Sequence, residues 1–307
     1  MFKLALFDYE SAGAGISKNA PRKKGFSLFF DIFFRKFWKL LEVNLLYSLF
    51  FVPLILAVAA IVFLPEISVA LSLVCAGICV LIFMLTIGPA TVGAMKIMRC
   101  YLIEKHTFII RDFFRAFKRG YAKSAVIGFA DCVVVLSVYA SLKVYPMMAD
   151  TYNTKLFYVP MTITFSIAIV VLMMNYFIFL MIAATNLSLK NLVKNSFALA
   201  FISLKGNLII IITSIVTAFL MLLVFIYLNP LFWILLPFFP ASFLLFVTAF
   251  NSYPVIQKYV INPYYTSIGE INPELLNGSE EETIFEDMGG KEAPIEKRKK
   301  GKAKKIS

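Results

Sequence analysis

Six long apolar stretches, with nearly all basic residues on alternate sides of them, constrain this chain more than any other feature. Each stretch is close to or above the roughly 20 residues that an α-helix needs to cross the hydrocarbon core of a bilayer. They lie at about residues 41–64, 67–87, 124–145, 157–184, 207–228 and 231–253. The pattern predicts an all-α polytopic membrane protein with about six transmembrane helices arranged in three hairpins.

The positions of Lys and Arg predict how the hairpins are oriented. Eight of these residues lie in 1–40, eight in 96–123, three in 190–205 and nine after residue 254. The connections on the other side hold only Lys143 and Lys155. Because segments rich in Lys and Arg stay in the cytoplasm, the N-terminus and the C-terminus are both predicted to be cytoplasmic.

Composition and charge exclude an ordinary soluble domain. Apolar residues make up 60% of the 307 positions, charged residues 16%, and 32 residues are Phe. The net charge of +12 would suggest a nucleic-acid partner in a soluble protein. Here the basic residues flank the spans, so attraction to an anionic cytoplasmic leaflet explains the charge better. We therefore expect the lipid bilayer as a partner and no nucleic acid.

The spans divide the chain into three predicted regions. Residues 1–40 form a cytoplasmic N-terminal segment with an interfacial helix, and residues 41–260 form the transmembrane domain. The tail, residues 261–307, is rich in acids over 270–296 and then in Lys and Arg over 297–305. Such a segment buries too little apolar surface to fold, so the tail is predicted to be disordered. Its basic end is expected to contact anionic lipid or to fold back on the acidic block, and the alternative is a solubilising extension.

A motif of aromatic and basic residues precedes the first and third spans at an offset of 80 residues. It reads Phe-Phe-Arg-Lys-Phe over 33–37 and Phe-Phe-Arg-Ala-Phe over 113–117, with a looser counterpart over 196–201. Polar residues Asn44, Ser124 and Asn207 follow at matching offsets. These repeats predict three copies of one unit, an entry helix followed by a transmembrane hairpin.

The entry helices have two possible roles. A helix that mixes Phe with Lys and Arg suits the headgroup plane of a membrane, where it would anchor the hairpin that follows. The same composition suits a cytoplasmic surface on which a partner protein docks, because aromatic residues and Arg are enriched in interfaces. The candidate residues are Phe33, Phe34, Arg35, Phe37, Arg111, Phe113, Phe114, Arg115 and Phe117.

Several ordered motifs, taken together, resemble one known family. They are Gly-Ala-Gly-Ile-Ser-Lys-Asn-Ala-Pro over 13–21, Phe-Trp-Lys-Leu over 37–40, Asn-Leu-Leu-Tyr over 44–47, Gly-Pro-Ala over 88–90, Arg-Asp-Phe-Phe-Arg-Ala-Phe-Lys over 111–118 and Ser-Leu-Lys-Asn-Leu over 188–192. From about residue 8 to 260, the chain resembles the YesL family of bacterial integral membrane proteins, a domain of unknown function.

The resemblance implies a location and a partner but no reaction. Proteins of the YesL family look like multi-helix inner-membrane components that are often encoded beside carbohydrate ABC transporters. The resemblance therefore implies a multi-pass protein of the bacterial plasma membrane, with ABC transporter subunits as candidate partners. It supplies no catalytic residue that could be placed on this chain.

The residues themselves do not form a recognisable catalytic or metal site. His106 is the single histidine, which excludes sites that need two, and no Ser-His-acid triad is apparent. Cys75 and Cys79, one helical turn apart, are interpreted as small packing residues because zinc would need more ligands. Gly13 and Gly15 lack the Lys-Ser/Thr ending of a phosphate-binding loop. We predict a protein that is not an enzyme and has no cofactor or metal.

Two polar residues inside the spans are candidates for function. Asp131 lies about seven residues into the third span, roughly 10 Å deep at the rise of an α-helix. An unpaired Asp at a helix centre costs about 2.5–3.5 kcal/mol, and less nearer the interface. Asp131 therefore either pairs with another helix, contacts a proton or substrate, or faces a water-filled vestibule. Asn175, inside the fourth span, can hydrogen-bond between helices.

Prolines are expected to shape the second and sixth spans. The Gly-Pro pair at 88–89 is predicted to end or kink the second span, and Pro237 with Pro240 to bend the sixth. A bent helix either packs around its kink or frames a gate. The sequence thus favours a non-catalytic membrane component that assists carbohydrate ABC-type uptake. The alternatives are a small-solute transporter or channel, with Asp131, Asn175 and these prolines along its pathway, and then a membrane enzyme.

Overall fold

The structure, a computed structural model, describes residues 25–270, 272 and 274. Within that part of the chain every regular element is helical and no residue lies in a strand, which confirms the all-α prediction. The Gly13–Gly15 segment lies outside the described residues. So does most of the tail predicted to be disordered.

Ten α-helices are described. They are α1 Gly25–Ser48, α2 Val52–Phe63, α3 Val69–Leu102, α4 Ile109–Thr151, α5 Tyr158–Ala184, α6 Leu189–Ile202, α7 Leu204–Tyr227, α8 Asn229–Leu235, α9 Pro240–Ile256 and α10 Asn262–Ser267. A 3-10 turn, Leu49–Phe51, joins α1 to α2, and a π-turn, Gln257–Ile261, follows α9. The chain divides after Ile261 into two compact units, the second of which begins with α10.

The number of possible membrane spans agrees with the sequence. Five described helical segments are long and apolar enough to cross a bilayer, and α8 with α9 makes a sixth if this bent pair is one span. The bend is 52° and falls between Leu235 and Pro240. The predicted effect of Pro237 and Pro240 is confirmed, since the helix stops before the first and α9 starts at the second.

The aromatic–basic segments are continuous with the spans they precede. We expected distinct interfacial helices over 26–40 and 108–120, but α4 runs unbroken from Ile109 to Thr151. In the first copy α1 leads into α2 through a single 3-10 turn, beside Pro53 at the start of α2. Only the third copy has an entry helix of its own, α6. Gly120 lies between motif and span in α4, and the helix tolerates this one weak helix former.

Pro89 does not end the second span. We expected Gly88-Pro89 to end or kink the span. It does not end it, because α3 continues through Pro89 to Leu102. Proline is tolerated within membrane helices because neighbouring helices and local adjustments satisfy the backbone groups that it frees. Pro89 is itself buried, and so are the residues on either side of it.

The core lies toward one end of the bundle. This end, where α3 and α5 finish and α4 begins, carries the clusters of Lys and Arg and is called the basic end below. Its core is formed by the buried residues of 88–101, 113–128, 173–182 and 242–256. Helices that follow each other in the chain also pack as hairpins, α2 on α3, α4 on α5 and α7 on α8.

A small separate core supports the first of these hairpins. Ala57 and Ala60 of α2 pack against Ala76 of α3, with Cys75 and Cys79 partly buried beside them. The interpretation of the two cysteines as small packing residues is confirmed. Small side chains at this seam let the two helices approach closely, as is common between membrane helices.

The proposed repeat shares a pattern of burial. Three sets of residues at offsets of 80 and 163 are buried in all three copies. The sets are Phe33, Phe113 and Ser196; Asn44, Ser124 and Asn207; and Tyr47, Ile127 and Ile210. The same helix face thus points inward in each copy. Triplication of the whole unit stays a prediction.

Candidate docking surface and intramembrane polar pair

The first Phe of each motif belongs to the core. Phe33 is 8% exposed, and its ring centre lies 5.8 Å from that of Phe243 and 6.2 Å from that of Phe246 on α9. Phe113 is fully buried, against Gly93 of α3. The prediction that these two residues form part of a docking surface is wrong. They face inward because they lie on the same helix face as the buried Asn44 and Ser124, three turns further on.

The second Phe and the Arg of each motif point outward. Phe34 is 69% exposed and Phe114 is 39% exposed. The side chains of Arg35 and Arg115 are 48% and 64% exposed. Each motif therefore places one aromatic ring and one guanidinium group together on the surface, immediately beside a Phe that is fixed in the core.

The last Phe of each motif is half-buried and joins its helix to a neighbour. The ring of Phe117 lies 5.3 Å from that of Phe50, which connects α4 to the turn after α1. The ring of Phe37 lies 6.3 Å from that of Phe239, next to the break in the sixth span. Both residues hold the exposed part of the motif in a fixed position.

The exposed parts of the two motifs are joined through the loop between α3 and α4. Arg35 of α1 forms an ion pair with Glu104 in this loop. At the start of α4, the guanidinium of Arg111 lies 5.3 Å from the ring centre of Phe108. Arg115 lies 3.7 Å from the carboxylate of Asp112. We call the set the aromatic–basic surface: Phe34, Arg35, Glu104, Phe108, Arg111, Phe114 and Arg115.

Other basic side chains of this end serve the fold. The Nε–H of Arg99 donates a 2.9 Å hydrogen bond to the hydroxyl of Tyr253, tying α3 to α9. The Nζ of Lys123 donates a 2.7 Å hydrogen bond to the backbone carbonyl of Leu187, before α6. Sequence reasoning missed both contacts because no local pattern relates residues so far apart in the chain.

The two candidate polar residues inside the membrane spans bind each other. The amide of Asn175 on α5 donates a 2.7 Å hydrogen bond to a carboxyl oxygen of Asp131 on α4, and both residues are half-buried. They meet because α4 and α5 form an antiparallel hairpin whose turn is centred near Asn153. Each lies about 22 residues from that turn, so they are at the same depth. The contact between Asp131 and Asn175 could therefore be predicted from the sequence once the position of the turn is known.

The polar pair lines a groove between α4 and α5 with a volume of about 290 Å³. The other eight residues that line it are apolar: Val134, Val135, Val138, Phe165, Ala168, Ile169, Val171 and Leu172. A hydrated solute needs several polar groups in exchange for its water. The groove therefore suits an apolar occupant that brings a single hydrogen-bonding group.

Metal-ligating side chains do not gather in the part of the chain that the structure describes. No three His, Cys, Asp or Glu residues there lie close enough to hold a metal ion. The four cysteines are free thiols, and His106 is exposed in the loop before α4, with its ring 4.9 Å from that of Phe108.

Comparison with known proteins relates one part of the chain to a family. No curated protein and no solved structure matches the chain. Residues 40–142, which run from the second half of α1 through most of α4, match a family described as "Protein of unknown function, DUF624". Over about a third of its length, this chain is thus similar to a protein family whose function is unknown.

Proposed function

We propose that the protein is a non-catalytic, multi-pass component of the bacterial plasma membrane that assists or regulates a carbohydrate ABC-type uptake system. It does so by docking a transporter subunit on the aromatic–basic surface, with the basic end in the cytoplasm. The resemblance to the YesL family motivates the choice of transporter. The match of residues 40–142 to a family of unknown function is compatible with it.

The observation that carries this proposal is the outward position of Phe34, Arg35, Phe114 and Arg115. When a partner covers an exposed Phe, the free energy of binding becomes more favourable by about 25 cal/mol for each Å² of apolar area removed from water. Arg beside it adds directional hydrogen bonds to acceptors of the partner. Rings and guanidinium groups of this kind are enriched at interfaces. Because the adjacent Phe of each motif is buried, the backbone that carries the exposed pair is already ordered, so binding costs side-chain entropy only.

The acids within the surface favour a protein partner over lipid alone. Anchoring to an anionic leaflet depends on the net positive charge near the headgroups. Arg35 is paired with Glu104, and Arg115 lies near Asp112, which lowers that net charge. A surface of mixed charge with exposed rings is attracted to anionic lipid less strongly than a purely basic one, and it can match a protein surface of complementary pattern.

A small-solute transporter is the second candidate, since Asp131 and Asn175 together line a groove between membrane helices. The apolar character of the remaining lining weighs against a pathway for sugars. The accessory role therefore remains the leading proposal.

Charge reversal on the docking surface tests the proposal. The double variant Arg111→Glu and Arg115→Glu is expected to lower recovery of carbohydrate ABC transporter subunits, co-purified in mild detergent, at least about tenfold. The reason is that it places like charge opposite the acceptor groups of the partner, and tenfold requires only about 1.4 kcal/mol.

The matched control is Lys190→Glu with Lys194→Glu. Both lysines are exposed on α6, and the change in net charge is the same. Recovery with the control should stay near that of the unchanged protein. Equal losses in both variants would contradict a specific surface. Solute flux through the purified protein alone in liposomes would establish the transporter instead.

A further inference from the structure

In the half of the α4–α5 hairpin away from the basic end, few of the described side chains are buried. Beyond Gly128, the described residues of α4 bury only Ser141 and Ala149. Among the described residues of α5, none before Met173 is buried. The groove with the polar pair lies in this open half of the hairpin.

The groove has the shape of a seat for a helix. Its lining residues recur three or four positions apart, at 131, 134–135 and 138 on α4 and at 165, 168–169, 171–172 and 175 on α5. They thus form one face of each helix, over eight residues of α4 and eleven of α5, or roughly 10–15 Å along the axes. The ridge of side chains on another helix packs into grooves of this kind.

The polar pair leaves hydrogen-bonding capacity in the groove. An ionised carboxylate offers about four acceptor positions. Within residues 25–270, Asn175 is the hydrogen-bond partner that the structure gives Asp131, and it occupies one carboxyl oxygen. Lipid tails carry no donor, and an acid inside a membrane is stabilised by a basic or polar group on another helix. The complement of this groove is therefore apolar with one donor.

We propose that the α4–α5 groove seats a transmembrane helix of a partner protein that carries a Lys or Arg facing Asp131. An acyl chain would fill the apolar part of the groove but would leave the carboxyl without a new donor. A partner helix with an apolar face and one Lys or Arg fills the apolar lining and also gives the carboxyl of Asp131 a donor. The inference rests on the proposed function in one respect, since it makes the docked partner an integral membrane protein.

Synthetic single-span peptides test this seat directly. The probe is a Leu/Ala helix with one Lys at the depth of Asp131, added to the full-length protein in lipid nanodiscs. Its affinity, measured by fluorescence transfer, is expected to exceed that of the all-Leu/Ala peptide about tenfold, or about 1.4 kcal/mol. Benzoylphenylalanine in place of Val135 should crosslink to the Lys peptide. In place of Ile215, which is exposed on α7, it should not.

Two controls change the proposed contact, one in the protein and one in the peptide. Asp131→Asn should abolish the preference for the Lys peptide without lowering the thermal midpoint, because the new amide can still accept from Asn175. A peptide with its Lys moved two positions, to the opposite helix face, should bind like the peptide without Lys. Equal affinity for all three peptides would overturn the inference. Should that happen while transporter subunits still co-purify, the groove proposal falls and the docking proposal stands.

Discussion

Gly88→Ala is expected to destabilise the protein more than any other single added methyl group on α3. A Cβ at this position would lie 2.0 Å from the backbone oxygen of Ser124 and 3.2 Å from the Cα of Gly128. These atoms belong to the backbone of α4, so no side-chain rotation can relieve the clash and the two helices must separate. Overpacking costs about 1–3 kcal/mol and occasionally more. The clash at Gly88 separates α3 from α4, which pack more extensively than any other pair of described helices.

The measurement is the thermal midpoint in detergent, followed by size-exclusion chromatography with fluorescence detection. Gly77→Ala is the matched control, because it adds the same methyl group to the same helix where nothing lies within 4 Å. Its midpoint should be unchanged or raised, since Ala favours a helix over Gly by about 1 kcal/mol. Similar midpoints for the two variants would show that α3 and α4 do not cross at Gly88.

Asn44→Leu is expected to have the next largest effect, through the broken sixth span. The side-chain oxygen of Asn44 accepts a 2.6 Å hydrogen bond from the backbone N–H of Ser242, and its amide donates one of 3.3 Å to the carbonyl of Leu236. These two backbone groups flank the break between α8 and α9, where the helical ladder cannot satisfy them. The Ser242 bond is buried, so leaving that N–H unpaired costs about 1–3 kcal/mol. The bond to Leu236 is only partly buried and adds less.

Unfolding in detergent and amide hydrogen exchange measure this effect together. Asn44→Leu should lower the thermal midpoint and speed exchange at Ser242. Asn191→Leu, at an exposed position on α6, should change neither. A variant at position 44 with unchanged exchange at Ser242 would show that the break is held by other contacts.

The number of spans could be predicted from the sequence, whereas the effect of each proline could be predicted only in part. Apolar stretches of about 20 residues are recognisable because a helix needs that length to cross the hydrocarbon core. Pro237 and Pro240 bend the sixth span as expected, since α8 ends before the first and α9 begins at the second. Pro89 does not stop α3, and nothing local signals this, because the tolerance depends on the helix packed beside it.

The sequence predicted which residues form the candidate site but not which of their side chains face the core. Repetition of the Phe-Phe-Arg motif identified both copies, yet it did not show that Phe33 is buried and Phe34 exposed. The separation follows from helical phase: Phe33 lies eleven residues, about three turns, before the buried Asn44 and so shares its face. The bond between Asp131 and Asn175 likewise follows only after the hairpin turn is located.

Photo-crosslinking in living cells tests most directly whether the aromatic–basic surface docks a partner. Benzoylphenylalanine would replace Phe34 or Phe114, with Phe197, exposed on α6, as the control position. We expect crosslinks from the first two positions to the same subunit of a carbohydrate ABC transporter, identified by mass spectrometry, and crosslinks to lipid from the third. Crosslinks to lipid alone from all three positions would contradict docking and leave these residues as membrane anchors.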